Sequence, residues 1–139
     1  MITEDYVSFE IAKLLKEKGF DEHCFCINYP LPEGGHHNII LPNLLNNSII
    51  PFTDEYKYCR YKEDFITIPT LQMTMKWLRK VYSINFNISW NPTFKDYFVE
   101  IFKPTLLYST ITYQNYEEAC EAAIKYCLEN LINKKEGNI

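Results

Sequence analysis

The clearest pattern in this chain is the stretch INFNISW at residues 84–90, in which apolar and polar side chains alternate strictly. Such alternation places all the apolar side chains on one side of a β-strand, so one face of this strand is expected to be buried. Asn91 and Pro92 follow as turn residues, and YFVEIF at residues 97–102 reads as the returning strand. A third strand, rich in Thr and Tyr, is predicted near residues 108–113.

Three stretches with helical periodicity surround these strands. The first helix is predicted near residues 8–18, between Ser8 as N-cap and Gly19 as the residue that ends it. Thr70 and Asn115 are the predicted N-caps of the second and third helices. The second helix has an apolar face that consists of Leu71, Thr74, Met75, Leu78, Val81 and Tyr82. The third has an apolar stripe that consists of Cys120, Ala123, Ile124, Cys127, Leu128 and Leu131.

The order of these elements predicts an α+β fold. Short connections between consecutive strands favour antiparallel pairing, so we expect a two-layer fold with a mostly antiparallel sheet of three to five strands and about three helices packed on one face. Residues 1–132 are expected to form a single domain, and residues 133–139 a frayed tail. CFCINY at residues 24–29 is a further strand, whereas residues 30–68, rich in Pro, Gly and Asn, are expected to be irregular or to form short strands near 56–61 and 65–68.

Composition and charge restrict the class of function. The chain has 139 residues, 16% of them aromatic including 11 tyrosines, and a formal net charge of −4. A negative total disfavours nucleic-acid binding, which depends on neutralising phosphates. The amino-terminal residues carry acid where a signal peptide needs positive charge, and no run approaches the roughly 20 apolar residues of a membrane helix. We therefore expect a cytoplasmic protein without membrane contact and with five reduced cysteines, whereas its oligomeric state stays open.

Three stretches of the chain carry a family resemblance. They are VSFEIAKLLKEKGF at residues 7–20, PTLQ at 69–72 with KWLR at 76–79, and YEEA at 116–119 with AAI at 122–124. Together they resemble a family of short uncharacterised proteins that bacterial prophages and integrated mobile elements carry. The resemblance implies a bacterial accessory gene product. It implies no activity and no site residues.

One cluster of metal-ligating residue types stands out, namely His23, Cys24, Cys26, His36 and His37. Thiolates and imidazoles are the usual ligands of zinc. The Cys-x-Cys spacing, however, differs from the common Cys-x-x-Cys knuckle, and two adjacent histidines do not easily turn to one ion. If residues 24–29 form a strand, the two cysteines share a face, which keeps a zinc site open as a distant alternative. The sequence therefore predicts no metal and no cofactor.

Signatures of catalysis and of nucleic-acid binding are weak. Neither a Gly-x-Ser-x-Gly elbow nor a paired-carboxylate arrangement stands out, and Cys59 beside Arg60 is a weak nucleophile candidate. The sequence thus predicts no catalytic residues, no cofactor-binding residues and no enzyme. YKYCRYK at residues 56–62 interleaves aromatics with cations, but acidic residues flank it. Lys76, Arg79 and Lys80 form a small basic patch on the second helix.

The function expected from these observations is a noncatalytic protein-interaction accessory module of a phage or mobile element, with an unidentified protein partner. The abundant tyrosines and the acidic total favour it. The alternative is a small nucleic-acid-binding accessory protein, based on the two basic patches. An enzyme or a zinc-binding protein that uses residues 23–37 is a distant third reading.

Overall fold

The α+β class predicted from the sequence is confirmed by the computed structural model, which describes residues 4–30, 35–45 and 66–132. Its contacts divide the chain into two units. We call residues 6–30, 35–45 and 66–69 the N-terminal unit, and residues 4–5 and 70–132 the C-terminal unit. Each unit contributes one three-stranded antiparallel sheet to the described part of the chain. The single-domain organisation expected for residues 1–132 stays a prediction.

The N-terminal unit begins with helix α1, Phe9–Glu17, whose two ends follow the sequence. The Ser8 hydroxyl accepts a hydrogen bond from the backbone N–H of Ile11 at 3.2 Å, as an N-cap residue does. Gly19 adopts a φ of 94°, which other residues adopt only with strain. The N–H of Phe20 then bonds to the carbonyl of Leu15 at 2.9 Å, which completes a Schellman motif. The predicted first helix is therefore confirmed.

Strand β1, Cys24–Pro30, is the central strand of the N-terminal sheet, between β2, His36–Leu45, and β3, Ile66–Thr67. The sequence reading of residues 30–68 was wrong about β2, because it expected only irregular chain or short strands here and β2 is ten residues long. Pro42 argued against a long strand here, because proline lacks the backbone N–H that a regular ladder of hydrogen bonds needs. The register shifts between Cys24 and Cys26, so Pro42 falls within the irregular stretch of β2. The strand expected at residues 56–61 lies outside the described residues.

The C-terminal unit contains a helix, a three-stranded meander and a final helix. In order, these are α2, Leu71–Tyr82; β4, Asn85–Asn91; β5, Asp96–Phe102; β6, Leu106–Tyr113; and α3, Tyr116–Tyr126, which continues as a π-helical segment, Cys127–Leu131. The side chains of Thr70 and Asn115 cap α2 and α3 by accepting backbone N–H groups at 3.1 and 2.8 Å. Both predicted caps and the predicted antiparallel meander are therefore confirmed.

The core of the C-terminal unit lies between α3 and the meander. Helix α3 contacts all three strands, and it buries Ala119, Cys120, Ala123 and Ile124. The predicted stripe of this helix is confirmed except at Leu131, which is only half-buried. In α2 the prediction was wrong at Val81, which is 53% exposed at the last turn of the helix. No helix in the described part of the chain is long and apolar enough to cross a membrane.

Candidate functional site

The thiols of strand β1 are buried and protonated. Cys24 and Cys26 are 1% and 2% exposed. Burial raises the pKa of Cys24 to about 12, an effect that a hydrogen bond with Thr67 partly offsets, and burial raises the pKa of Cys26 to about 11. The Cys24 thiol donates to the backbone carbonyl of Glu22 at 3.5 Å. These two thiols behave as small apolar side chains at neutral pH, because neither is a thiolate there.

The histidines of the candidate zinc cluster occupy other positions in the N-terminal unit. His23 is exposed at the residue before β1. His36 and His37 begin β2, where they pair with Pro30 and Tyr29 at the far end of β1 from Cys24. Among the described residues no group of three or more His, Cys, Asp or Glu side chains is placed to hold a metal ion. Cys59, the weak nucleophile candidate, lies outside the described residues.

The basic patch of α2 is exposed as a set. Lys76, Arg79 and Lys80 all project from the helix into solvent. Lys76 and Lys80 are four residues apart and Arg79 is three from Lys76, so the three cations share one side of the helix. The other basic stretch, at residues 56–62, lies outside the described residues.

The meander of the C-terminal unit carries an exposed aromatic cluster that the sequence reading did not predict as a site. The rings of Trp90 and Tyr97 have centroids 5.0 Å apart, and those of Tyr97 and Tyr116 have centroids 6.0 Å apart at an edge-to-face angle of 77°. Trp90 is 49% exposed and Tyr116 is 36% exposed. Phe94, in the turn between β4 and β5, is 69% exposed. We call Trp90, Phe94, Tyr97 and Tyr116 the aromatic surface.

Strand pairing and helix capping fix the positions of these rings. Trp90 and Tyr97 are register partners in the β4–β5 hairpin, so they lie side by side on one face of the sheet. Tyr116 is the first residue of α3, directly after its N-cap Asn115. The same helix end holds the rings together, because Tyr97 contacts Tyr116 edge to face.

The turn that presents Phe94 is built by Asn91. Its side-chain oxygen accepts the backbone N–H groups of Thr93 at 3.0 Å and of Phe94 at 3.4 Å. Asparagine favours such turns because its short amide mimics a backbone carbonyl. Lys95 then takes a left-handed φ of 54°, which returns the chain into β5. This bonding fixes the backbone under Phe94, and its ring is left projecting into solvent.

The charges around the aromatic surface are more acidic than basic. Glu117 and Glu118 are exposed in the first turn of α3, directly after Tyr116, and Lys95 is the exposed cation of the hairpin turn. Burial raises the pKa of the Tyr116 hydroxyl, and a hydrogen bond with Gln72 partly opposes this rise, so the phenol is neutral at physiological pH. The cluster can therefore offer ring faces and edges, with carboxylates beside them, to another molecule.

Sequence reasoning missed this surface for a specific reason. Strict alternation in residues 84–90 places Trp90 on the apolar side of β4, which the sequence predicted to be buried, and the structure leaves its ring half exposed. Phe94 could not be predicted as part of this surface, because an isolated aromatic in a turn has no periodicity. The one available signal was the Asn-Pro turn that presents it.

Comparisons of the chain with protein-family models, curated proteins and solved structures give no match.

Proposed function

We propose that this chain is a noncatalytic protein-interaction module and an accessory product of a phage or mobile element. The observation that carries the interaction part is the aromatic surface, in which Trp90, Phe94 and Tyr116 are 49%, 69% and 36% exposed. The accessory-gene part rests on the sequence resemblance of the three helical stretches alone.

Exposed aromatic rings in a group favour a binding role over a structural one. Trp and Tyr are enriched among the residues that contribute most to the affinity of protein interfaces, since their rings lose much water-exposed area and little conformational freedom on binding. Because the Phe94 side chain is 69% exposed, it contributes little to the packing of the C-terminal unit. Covering these rings with a partner would recover the hydrophobic free energy that the isolated chain leaves unused.

The chemistry beside the rings favours a cationic partner segment. Glu117 and Glu118 project from the helix turn that carries Tyr116, and the chain as a whole has a net charge of −4. Arg and Lys side chains bind both carboxylates and the faces of aromatic rings. The partner that fits this surface is a protein segment in which Arg or Lys residues alternate with aliphatic ones.

The thiols of strand β1 are unsuited to nucleophilic catalysis. Cys24 and Cys26 are buried, and burial raises the pKa of each thiol to about 12 and about 11. A catalytic cysteine needs the opposite environment, one that is accessible and lowers the thiol pKa. His23 lies exposed on the chain next to them, outside any cluster of ligands in the described residues.

Selection from a library of displayed random peptides tests this proposal on the purified chain. We expect the enriched peptides to be rich in Arg or Lys and in aliphatic residues. Phe94→Ser should weaken the affinity of an enriched peptide by about tenfold or more, as the loss of an aromatic residue that contributes strongly to an interface does.

Leu106→Ser is the matched control for this measurement. Leu106 is 50% exposed, but it pairs with Phe102 at the opposite end of β5 from Tyr97. We expect its substitution to change the affinity by less than about twofold. Enrichment of acidic peptides, or equal losses in both variants, would contradict the proposal.

The alternative function, nucleic-acid binding, is favoured by one observation, the exposed cations Lys76, Arg79 and Lys80 on one side of α2. If these residues contact phosphates, affinity for a single-stranded oligonucleotide should fall linearly on a log–log plot against salt, with a slope of about −2 for three contacts. Replacing all three with alanine should abolish that slope. An affinity that changes neither with salt nor with the triple substitution would exclude this function for the α2 patch.

A further inference from the structure

Strand β4 is an outer strand of the C-terminal sheet that lacks the usual protection against pairing. Among the strands that the structure describes it pairs with β5 alone, and no other described strand lies along its second edge. Natural edge strands are commonly protected by charges, prolines or bulges. The sequence of β4, NFNISWN, has no charged residue and no proline, and its pairing with β5 runs without a register shift from Asn85 to Asn91.

The other outer strand, β6, provides an internal contrast. Its pairing with β5 shifts register twice, between Tyr97 and Phe98 and between Ile101 and Phe102. Such irregularities interrupt and twist an edge, so they disfavour pairing with another strand. One edge of this sheet is thus interrupted, whereas the edge of β4 is regular along its whole length.

The sequence of β4 is chemically symmetric about Ile88. Read in either direction from this centre, a polar residue comes first, an aromatic residue second and an asparagine third. Two antiparallel copies centred on Ile88 would therefore place Asn87 opposite Ser89, Phe86 opposite Trp90, and Asn85 opposite Asn91. Each of these pairs is chemically matched, and none brings like charges together.

We infer that two copies of this chain associate through β4, antiparallel and centred on Ile88, and so join their C-terminal sheets into one six-stranded sheet. The arrangement is two-fold symmetric, as most homodimers are. It also accounts for the exposure of the Trp90 ring. This ring is 49% exposed in the single chain and would pack against Phe86 of the second copy. Aromatic pairs that face each other across antiparallel strands are among the stabilising ones.

The side-chain hydrogen bonds on the polar face of β4 could continue across such a pairing. Asn87 donates from its amide to the Glu100 carboxylate at 2.8 Å and accepts from the Ser89 hydroxyl at 3.1 Å, so a row of hydrogen-bonded side chains already crosses from β5 to β4. In the paired arrangement Asn87 of each copy meets Ser89 of the other, and the row continues into the second sheet.

The length of β4 determines how stable the proposed dimer is expected to be. Seven residues make a small interface, so we expect a reversible dimer with a dissociation constant on the order of 1–100 µM rather than an obligate one. Sedimentation equilibrium of the full chain over this range should show conversion from monomer to dimer. A chain that remains monomeric at about 1 mM would overturn the inference.

A charge-pairing experiment tests the register. In the proposed arrangement position 87 of one copy faces position 89 of the other, so the double variant Asn87→Lys/Ser89→Lys opposes two pairs of lysines. It should weaken the dimer by about tenfold or more. The double variant Asn87→Lys/Ser89→Glu opposes each lysine to a glutamate and should dimerise at least as well as the parent.

Both double variants change only half-buried or exposed side chains, and circular dichroism melts verify that each is folded. Equal dimerisation by the two variants, whether strong or weak, would overturn the proposed register, because each alternative register removes the difference between them. The inference does not depend on the peptide-binding proposal. Phe94→Ser, which lies outside β4, should leave the dimer unchanged.

Discussion

Helix α3 and strand β4 carry equally regular apolar patterns, yet only one of them is fully covered. In α3 the stripe residues Cys120, Ala123 and Ile124 are at most 1% exposed. In β4 the apolar row is half-buried at Phe86 and Ile88, and Trp90 is 49% exposed. The helix contacts all three strands of the meander, whereas β4 is an outer strand. Periodicity therefore predicts which side of an element is apolar, but the position of the element in the fold decides whether that side is buried.

The difference separates a segment that stabilises the unit from one that is exposed to solvent. A fully covered apolar stripe contributes to stability, and its loss should unfold the unit. A half-covered row that ends in a solvent-exposed aromatic contributes less to stability and remains available for contact with another molecule.

The largest effect is expected for Ile124→Ala. Ile124 is fully buried on α3, so truncation leaves a cavity and should lower the free energy of unfolding by about 2–5 kcal/mol. Urea melts measure the change. The control is Glu129→Ala on the exposed side of the following segment, which should change stability by less than about 0.5 kcal/mol. If Ile124→Ala melts like the parent, the α3 stripe does not face a core and the contrast with β4 fails.

A second effect comes from the thiols of the final helix at alkaline pH. Burial raises the pKa of Cys120 to about 11 and that of Cys127 to about 12, from an ordinary value of 9.0. In the unfolded chain these thiols lose their protons near pH 9, whereas in the folded chain they keep them. Their contribution to stability is therefore fully present below pH 9 and is lost as the pH rises towards 11 to 12.

Urea melts between pH 8 and pH 10.5 measure this loss. Each thiol that ionises only after unfolding lowers the free energy of unfolding by up to about 1.4 kcal/mol per pH unit. The variant Cys120→Ala/Cys127→Ala should show a shallower decline than the parent. Identical slopes in the two proteins would mean that these thiols are more accessible than the structure places them.

A smaller effect is expected for Trp90→Ala. The ring contacts Tyr97 at a centroid distance of 5.0 Å but remains half exposed, so its loss should cost about 0.5–1.5 kcal/mol in a urea melt, for the lost aromatic contact. A cost above about 3 kcal/mol, typical of a core aromatic, would place Trp90 in the core with the α3 stripe. The comparison between the two segments would then be wrong.

The elements that local rules determine could be predicted from the sequence. Ser8, Thr70 and Asn115 cap their helices as expected, because each hydroxyl or amide needs only the backbone two or three residues away. The β4–β5 hairpin follows from alternation and from the turn at Asn91 in the same way. These features depend only on residues that are close together in the sequence, so the sequence is sufficient to predict them.

The features that depend on distant pairing could not be predicted. Strand β2 forms because Ile39 and Ile40 pair with Ile27 and Cys26, and the proline within it is tolerated at a shift in register that no local pattern reveals. The exposure of Trp90 likewise depends on its strand lying at the edge of the sheet. The aromatic surface joins residues from β4, the turn, β5 and α3, so it becomes visible only once the fold is known.

Acrylamide quenching of tryptophan fluorescence tests whether the Trp90 side of β4 is exposed and binds a partner, because the chain has two tryptophans in opposite environments. Trp77 is 7% exposed on α2 and Trp90 is 49% exposed on β4. Trp77→Phe leaves Trp90 as the only reporter, and Trp90→Phe leaves Trp77. Both are measured in the Asn87→Lys/Ser89→Lys background, in which the proposed β4 pairing is expected to be weakened. We predict a quenching constant several-fold larger for Trp90, which falls towards that of Trp77 when a selected peptide binds. Equal constants for the two tryptophans in the free protein, or a Trp90 constant that saturating peptide leaves unchanged, would contradict the assignment of this surface to binding.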